Sequence, residues 1–590
     1  MHFQAPGSKK YLRRWSGFSG LIVALFLLAA CSGGQSNAQQ TPAATQFVKL
    51  QLGIPAKALN APITGQVPDT QPLHVGVTFT LDQNALKQFG QGNTSQGGQT
   101  TSGNEIASKL GISDTDYQKI KDFFGVTQAD LQLSDTHTSL NVTIKAGEAA
   151  KLLQTKFVYH KLDGRTYYTP DPQHMPQVPQ PVAAKILAVT GLDSYSQPPK
   201  SGNHLASQLH PTLPQSFGLC PLKVPGFAGR DQVASNYGFD RLWQRGWTGK
   251  NATINLVEID GTDQSDLDAY FSCVNYKGKV SFTNIDGGAP APEGETTLDI
   301  DMIAGLAPDV NIHDYQTDIS KAEDGGWQNL LDTFQRIIDD HANNLYSREV
   351  VSVSLGAPEA ALTSSLANAF TQRLQMLTQV EHMTVFVASG DCAAFMDGVY
   401  GQLDVSFPAS DPYAVAVGGT TLDTDLAGQR TSETAWSDGS DHSTCNNSWG
   451  TGGGLSTVFA RPDWQTGVNG IQNQYSTGKR QLPDVAAVAD KLLVFYQGLW
   501  QPIGGTSAAT PIWAAAMILL NQGFIATKNY FSYGPDTFYT VKAHAGQAHP
   551  YYDITKGDNL YYKAGPGWNY ATGLGVPYLP DFLTVEQGTV

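Results

Sequence analysis

The sequence predicts two domains: a small α+β domain, then an α/β domain built on a doubly wound parallel sheet. Three observations carry this. The chain has 590 residues, more than one domain ordinarily holds. From residue 218 onward, strand-like apolar runs alternate with helical stretches, the pattern of successive βα units. Between the two parts lies 196–215 (SQPPKSGNHLASQLHPTLPQ), whose Pro, Ser and Gly content marks an exposed linker.

The elements follow in chain order. Lys9, Lys10, Arg13 and Arg14 precede the apolar run Leu21–Leu28, which is too short to span a bilayer with its flanks. Leu28-Ala29-Ala30-Cys31 then resembles a bacterial lipoprotein signal, in which the cysteine is acylated and becomes the new N-terminus. A plain secretory signal cut near Ala30 is the alternative. Residues 32–47 have linker composition. The expected divisions are therefore a signal at 1–31, a polar tether at 32–47, an α+β domain at 48–195, a linker at 196–217 and the α/β domain at 218–590.

In the first domain, Val75, Val77, Phe79 and Leu81 alternate as in a strand. Ser113 caps a helix that puts Tyr117, Ile120 and Phe124 on one face before Gly125. Leu140, Val142 and Ile144 predict another strand, followed by a helix over 146–154. In the second domain, strands are expected over Ala252–Ile259, Asn311–Tyr315, Val350–Leu355, Met383–Ala388 and Tyr413–Val417. Helices are expected over Trp327–Asp340 and Glu359–Thr378. Functional residues in such a fold gather at the carboxyl ends of the strands.

Net charge is −15, which excludes the basic face that nucleic-acid binding needs. Charged residues make up only 15%, so few native ion pairs are lost on acidification. There are five cysteines. Acylating Cys31 leaves an even set of four for an oxidising compartment. Four cysteines allow three pairings, and the sequence decides none. Cys220–Cys273 with Cys392–Cys445 is the pairing preferred.

Three short segments carry chemistry. Gly504-Gly505-Thr506-Ser507 opens an apolar helix ending near Leu520, which would present an exposed Ser507 beside free backbone N–H groups. Such a serine needs a base, and no His-Gly-Thr helix start of the usual kind is present. Instead Glu295 and Asp299 stand at i and i+4 of a helix start. Two carboxylates so close share a proton and serve as a base where histidine would be protonated. Asp391 follows Ser389-Gly390 at a strand end, where a protonated carboxyl could donate to an oxyanion. Each segment has a plainer reading: a helix cap, a solvated acidic turn and an Asx turn.

Gly-Glu-x-x-x-Asp-Ile, Ser-Gly-Asp and Gly-Thr-Ser-Ala-x-x-Pro, in this chain order, resemble the sedolisins, or serine-carboxyl peptidases, over about 48–590. The resemblance implies a subtilisin-like catalytic domain preceded by an inhibitory propeptide of the prokumamolisin type. Gly164-Arg165-Thr166-Tyr167-Tyr168 is part of the propeptide match. It implies Ser507 as nucleophile, Glu295 as base and then acid, Asp299 orienting Glu295, and Asp391 with the Ser507 N–H as the oxyanion hole. Ser354-Leu355-Gly356 and Gly452-Gly453-Gly454 would flank an extended peptide substrate. Leu355 departs from members that carry tryptophan there, which puts in doubt a network extended through Glu258. One Ca²⁺ is implied, held by Asp553, the carbonyls of Ile554, Gly565 and Gly567, and Asn569, the last in place of a carboxylate.

The expected protein is a secreted, self-processing, monomeric endopeptidase that acts in acid on peptides and proteins. The alternatives are a His-based subtilase and a catalytically dead surface lipoprotein. The cut is expected in the linker, and the propeptide's grip is expected to weaken in acid.

Overall fold

A computed structural model describes residues 46–91, 102–125, 129–196, 200–201, 204–205, 220–288, 291–342, 349–396, 401–438, 449–528 and 532–585. The signal and Cys31 lie outside these residues. Residues 46–590 form one compact unit.

The second domain is organised by a sheet whose strands run, edge to edge, Val280–Ile285, Asn311–Thr317, Thr253–Glu258, Glu349–Val353, Thr384–Ala388, Val415–Thr424 and Arg430–Ala435. Its first six strands are parallel, and Val485–Val488 also joins Val415–Thr424 in parallel. The central strands are buried throughout, as expected of a sheet covered on both faces. The α/β class is as the alternating pattern predicted. Two details differ. The stretch 349–358 is two strands, Glu349–Val353 and Leu355–Pro358, because the second turns away to form its own small sheet. The helix at Ser507 continues past Leu520 to Lys528. Among the described residues it is long and apolar enough to cross a membrane, but 89% of its apolar window is buried inside the protein. It is the core helix against which the sheet packs.

The first domain is a four-stranded antiparallel sheet, ordered Asp130–Leu133, Ser139–Lys145, Pro72–Phe79 and Ile186–Thr190. Ser113 Oγ accepts from Asp116 N at 3.2 Å, so the predicted cap is made. This sheet docks on the helices Trp327–Ala342 and Ser364–Gln375. Ser365 Oγ donates to Val189 O at 2.7 Å, Arg373 Nη1 donates to Thr78 Oγ1 at 2.8 Å, and Ser139 Oγ donates to Gln335 Oε1 at 3.0 Å. Leu81, Leu86, Phe89, Ile106 and Leu110 enter the same apolar cluster as Trp327, Phe334 and Phe370. His74 Nε2 lies 3.0 Å from Asp332 Oδ2 across the interface.

Cys220 and Cys273 form a disulfide. Cys392 is also disulfide-bonded, and Cys445, its expected partner, lies outside the described residues.

Candidate active site

The helix Glu295–Leu306 starts at Gly294, whose φ of 105° needs glycine. Asp260, at the end of the strand Thr253–Glu258, holds that start. It accepts from the backbone N–H of Glu293 at 2.9 Å, Glu295 at 3.1 Å and Thr296 at 3.0 Å. Every residue of the helix is buried. The acidic first turn is therefore not a solvated cap: Glu295 is 1% exposed and Asp299 is fully buried. Burial, reinforced by Asp299, pushes the Glu295 carboxyl well above the ordinary range. Burial pushes Asp299 up to about 8, against hydrogen bonds from Ser354 and Glu258 that hold it down. Ser354 Oγ donates to Asp299 Oδ2 at 2.6 Å.

Ser507 stands in the first turn of the helix Thr506–Lys528, where backbone N–H groups lack intrahelical acceptors. Its hydroxyl donates to Ser354 O at 3.3 Å, a long and weak contact. The nearby Ser507 hydroxyl opposes the rise in the Glu295 pKa, while both Glu295 oxygens are buried without a hydrogen-bond partner. Asp391 Oδ1 accepts from the backbone N–H and the hydroxyl of Thr506, each at 2.7 Å. Gly390, at φ 98°, makes the turn that aims it. The carboxyl of Asp391 is thus tied to the residue before Ser507.

The structure corrects one expectation here. Ser507 is not exposed but fully buried. The described linker residues pair with the two strands flanking the serine. Lys200–Ser201 runs antiparallel to Gly356–Leu355, and His204–Leu205 runs antiparallel to Gly504–Ile503. The Ser354-Leu355-Gly356 segment therefore receives an extended chain. Ser354 itself serves the carboxylates rather than a substrate. Gly452 and Gly453 are packing glycines, since an added Cβ would meet Ser389 O and Tyr570 O at 2.0 Å each. Gly454 opens the strand Gly454–Ala460. No linker residue among those described pairs with this loop.

Asp260, Thr506 and Asp314 were not singled out in the sequence. Asp260 could have been found as an acid closing the strand that carries Glu258. Thr506 has no such signal, because its partner is 115 residues away. The described histidines beyond the linker bond elsewhere: His313 to Thr283, His341 to Glu381 and His544 to Thr540 O.

Two family models match the chain. The Pro-kumamolisin activation domain matches residues 63–195, and the subtilase family matches residues 284–544. Kumamolisin of Bacillus sp. (strain MN-32) is 29% identical over 508 residues, covering 80% of this chain and 83% of that protein. Sedolisin of Pseudomonas sp. (strain 101) is 27% identical over 544 residues, covering 85% of each. The solved structure of Pseudomonas sedolisin complexed with two molecules of pseudo-iodotyrostatin superposes with a TM-score of 0.52 at 27% identity. It covers 61% of this chain and 98% of that one.

The chain is similar to the sedolisins over most of its length. It is a serine-type peptidase of subtilisin-like fold with an activation domain ahead of it. The C-terminal loop departs from the expected cation site. The carbonyls of Ile554, Gly565 and Gly567 do converge, but on Asn569 Nδ2, at 3.4, 3.1 and 3.4 Å. Asn569 Oδ1 is committed to Ala571 N at 3.1 Å, Thr572 N at 3.0 Å and Thr572 Oγ1 at 3.2 Å. Those three donors fix the amide orientation. An N–H donor at the focus of the carbonyls cannot ligate a hard cation, which takes oxygen. Lys542 Nζ lies 3.3 Å from Asp553 Oδ1 and brings a positive charge to the same loop. The expected ligand set does not fit Ca²⁺ in this arrangement, because asparagine in place of a carboxylate turns a ligand into a donor.

Proposed function

We propose that this chain is a sedolisin, an acid-acting serine-carboxyl endopeptidase made as a zymogen that cuts its own linker. Ser507 attacks the peptide carbonyl. Glu295 takes its proton and returns it to the leaving amine, and Asp299 holds Glu295. Asp391, protonated, and the Ser507 N–H receive the oxyanion. The observation that carries this reading is the pairing of the linker with the strands on both sides of Ser507. An extended peptide adding to strand edges is how such clefts hold substrate.

The same pairing narrows the cut to the bonds between Ser201 and His204. Acid is expected to start it. When precursor purified near neutrality is held at a pH of about 4, it should yield one new N-terminus within 202–204. Fragment sequencing reads this. Maturation that runs as fast at pH 7 contradicts the acid mechanism, and a new N-terminus outside 196–217 contradicts the reading of the linker as substrate.

The proposal extends to location. With Cys31 acylated, the precursor is tethered to the membrane, and cutting the linker severs the catalytic domain from lipid. Cell fractionation before and after acidification tests this. Precursor already free in the medium refutes the anchor, and mature domain kept in the membrane fraction refutes release.

The C-terminal loop is held, in this reading, by the Asn569 amide and the Lys542 ammonium in place of a metal ion. A chelator should leave the melting temperature of the Ser507→Ala precursor unchanged. Asn569→Asp should lower it without Ca²⁺ and restore it with Ca²⁺, by mass action on the native state. A chelator-induced drop in the Ser507→Ala precursor would show that a cation binds after all.

A further inference from the structure

One buried carboxylate near the site is used by nothing described so far. Asp314 lies mid-strand in Asn311–Thr317, fully buried, and neither of its oxygens has a hydrogen-bond partner. An unpaired carboxyl in such a place is expensive unless something answers it. Its neighbours also carry unanswered atoms. In register, Asp314 pairs with Leu256 on one side and Phe282 on the other. Side chains two apart on a strand share a face. Glu258 is therefore on the same face, one step along from Leu256, and Ser352 pairs with Leu256 from the next strand. Glu258 Oε1 and Ser352 Oγ are buried and unpartnered too. This is the face covered by the helices of Glu295 and Ser507, since Ile254, Leu256, Ile312 and Val350 share a cluster with Leu298, Ile300 and Ala508.

The charged and titratable groups around Asp314 are all acids. Glu258 comes from the adjacent strand, Asp260 from the turn after it, and Asp299 from the overlying helix. Phe282 and Ser352 complete the surround and bring no charge. Acids this close and this buried cannot all ionise. Those that stay protonated are donors, and Glu258 already donates to Asp299. Its remaining oxygen, Oε1, needs a donor of its own. Leu355 offers none.

We propose that Asp314 is a positioning residue for the catalytic carboxylates, a buried neutral acid that donates to Glu258, directly or through one water, and so holds Glu258 on Asp299. The array then runs Glu295, Asp299, Glu258, Asp314. Asp314 touches neither substrate nor Ser507. It acts through the proton that Glu258 gives to Asp299. Burial pushes its carboxyl well above the ordinary range, with Asp260 and Asp299 adding to the rise, so it stays neutral across the acid range in which the enzyme works.

The inference rests on the reading of Ser507, Glu295 and Asp299 as the catalytic set, and the test separates the two. Full-length precursors carrying Asp314→Asn and Asp314→Leu are matured in acid, and kcat and KM are measured against pH. A donor to the ionised pair lowers its pKa, so losing it raises that pKa. Asp314→Leu should cut kcat about tenfold at unchanged KM, and move the acid limb of the profile about one pH unit upward, as for a hydrogen bond of roughly that strength. Asp314→Asn keeps an N–H donor and should restore the limb. A second measurement needs no activity. In the Ser507→Ala precursor, infrared spectra near pH 7 should show a neutral carboxyl stretch that Asp314→Asn removes. A wild-type limb in Asp314→Leu, or no lost stretch, overturns the role of Asp314. If Ser507→Ala and Glu295→Gln both retain activity, the catalytic reading itself falls, whatever Asp314 does.

Discussion

Ser507→Ala is expected to give a precursor that folds, keeps its linker intact and hydrolyses nothing. The loss of kcat should be on the order of 10⁶-fold, the scale on which removing the nucleophile acts in a serine peptidase. Folding should survive, because the side chain makes one weak contact, to Ser354 O at 3.3 Å. The effect on maturation is as large, since linker and nucleophile belong to one chain and the linker already pairs on both sides of the serine. The check is to incubate purified Ser507→Ala precursor in acid and follow the intact chain. Cleavage within 196–217 with no other protease present would remove Ser507 from the mechanism. Adding active wild-type enzyme distinguishes cutting within one molecule from cutting between two. A linker held in its own cleft should resist.

The precursor should also be more stable at pH 5 than at pH 8. Burial raises Asp299 to about 8 and the half-buried Asp193 to about 7; Asp286 is also raised, but it lies at the surface, where solvent screens its effect. A carboxyl whose folded pKa lies above its unfolded value binds more protons when folded. Its contribution is fully present below the unfolded pKa, near 4, and is lost as pH rises through the folded value. Across pH 8 to 5 these groups therefore add stability as acid is added. Each tenfold change in proton affinity is worth about 1.4 kcal/mol, enough alone to move Tm by roughly 2–4 °C in a large domain. The Ser507→Ala precursor allows melting to be followed at both pH values without self-cleavage. A lower Tm at pH 5 would contradict the shifts.

This sign bears on how the propeptide leaves. Acid was expected to loosen its grip. Yet Asp193 is half-buried within the propeptide with its carboxyl raised, and the exposed Asp286, beside His74 of the propeptide, is raised by desolvation with Asp332 adding to the rise. His74 is itself held up to about 9 by Asp332 and Asp286 against the opposing effect of burial, so it stays charged throughout the acid range. Protons taken up in the docked state favour docking. Acid then acts on the catalytic carboxylates, and it is cutting the linker that ends the covalent hold.

How much was legible differs by residue. Glu295 and Asp299 could be read because i and i+4 on a helix lie on one face whatever surrounds it. Ser507 could be read because Gly-Gly before a helix start is a local instruction. The parallel sheet was legible because strands buried on both faces must be apolar throughout, as Val350, Val351 and Val353 are. The burial of Ser507 was not legible, because it depends on segments far apart in the chain. The bonding of Asn569 was not legible either, because only the donors from Ala571 and Thr572 show that its carbonyl oxygen is taken.

The sequence by itself therefore determined the fold class and the helix starts that carry Ser507, Glu295 and Asp299. These rest on local rules: periodicity, caps and glycine turns. Only the tertiary structure decided what those groups meet. It paired the linker with strands on both sides of Ser507, and put Thr506 on Asp391, Ser354 on Asp299, Asp314 on the face of Glu258, and an amide where a cation was expected. Each of these is a contact between segments far apart in the chain. Burial and the nearness of like charges, which set the proton affinities of these carboxyls, exist only once the chain has folded.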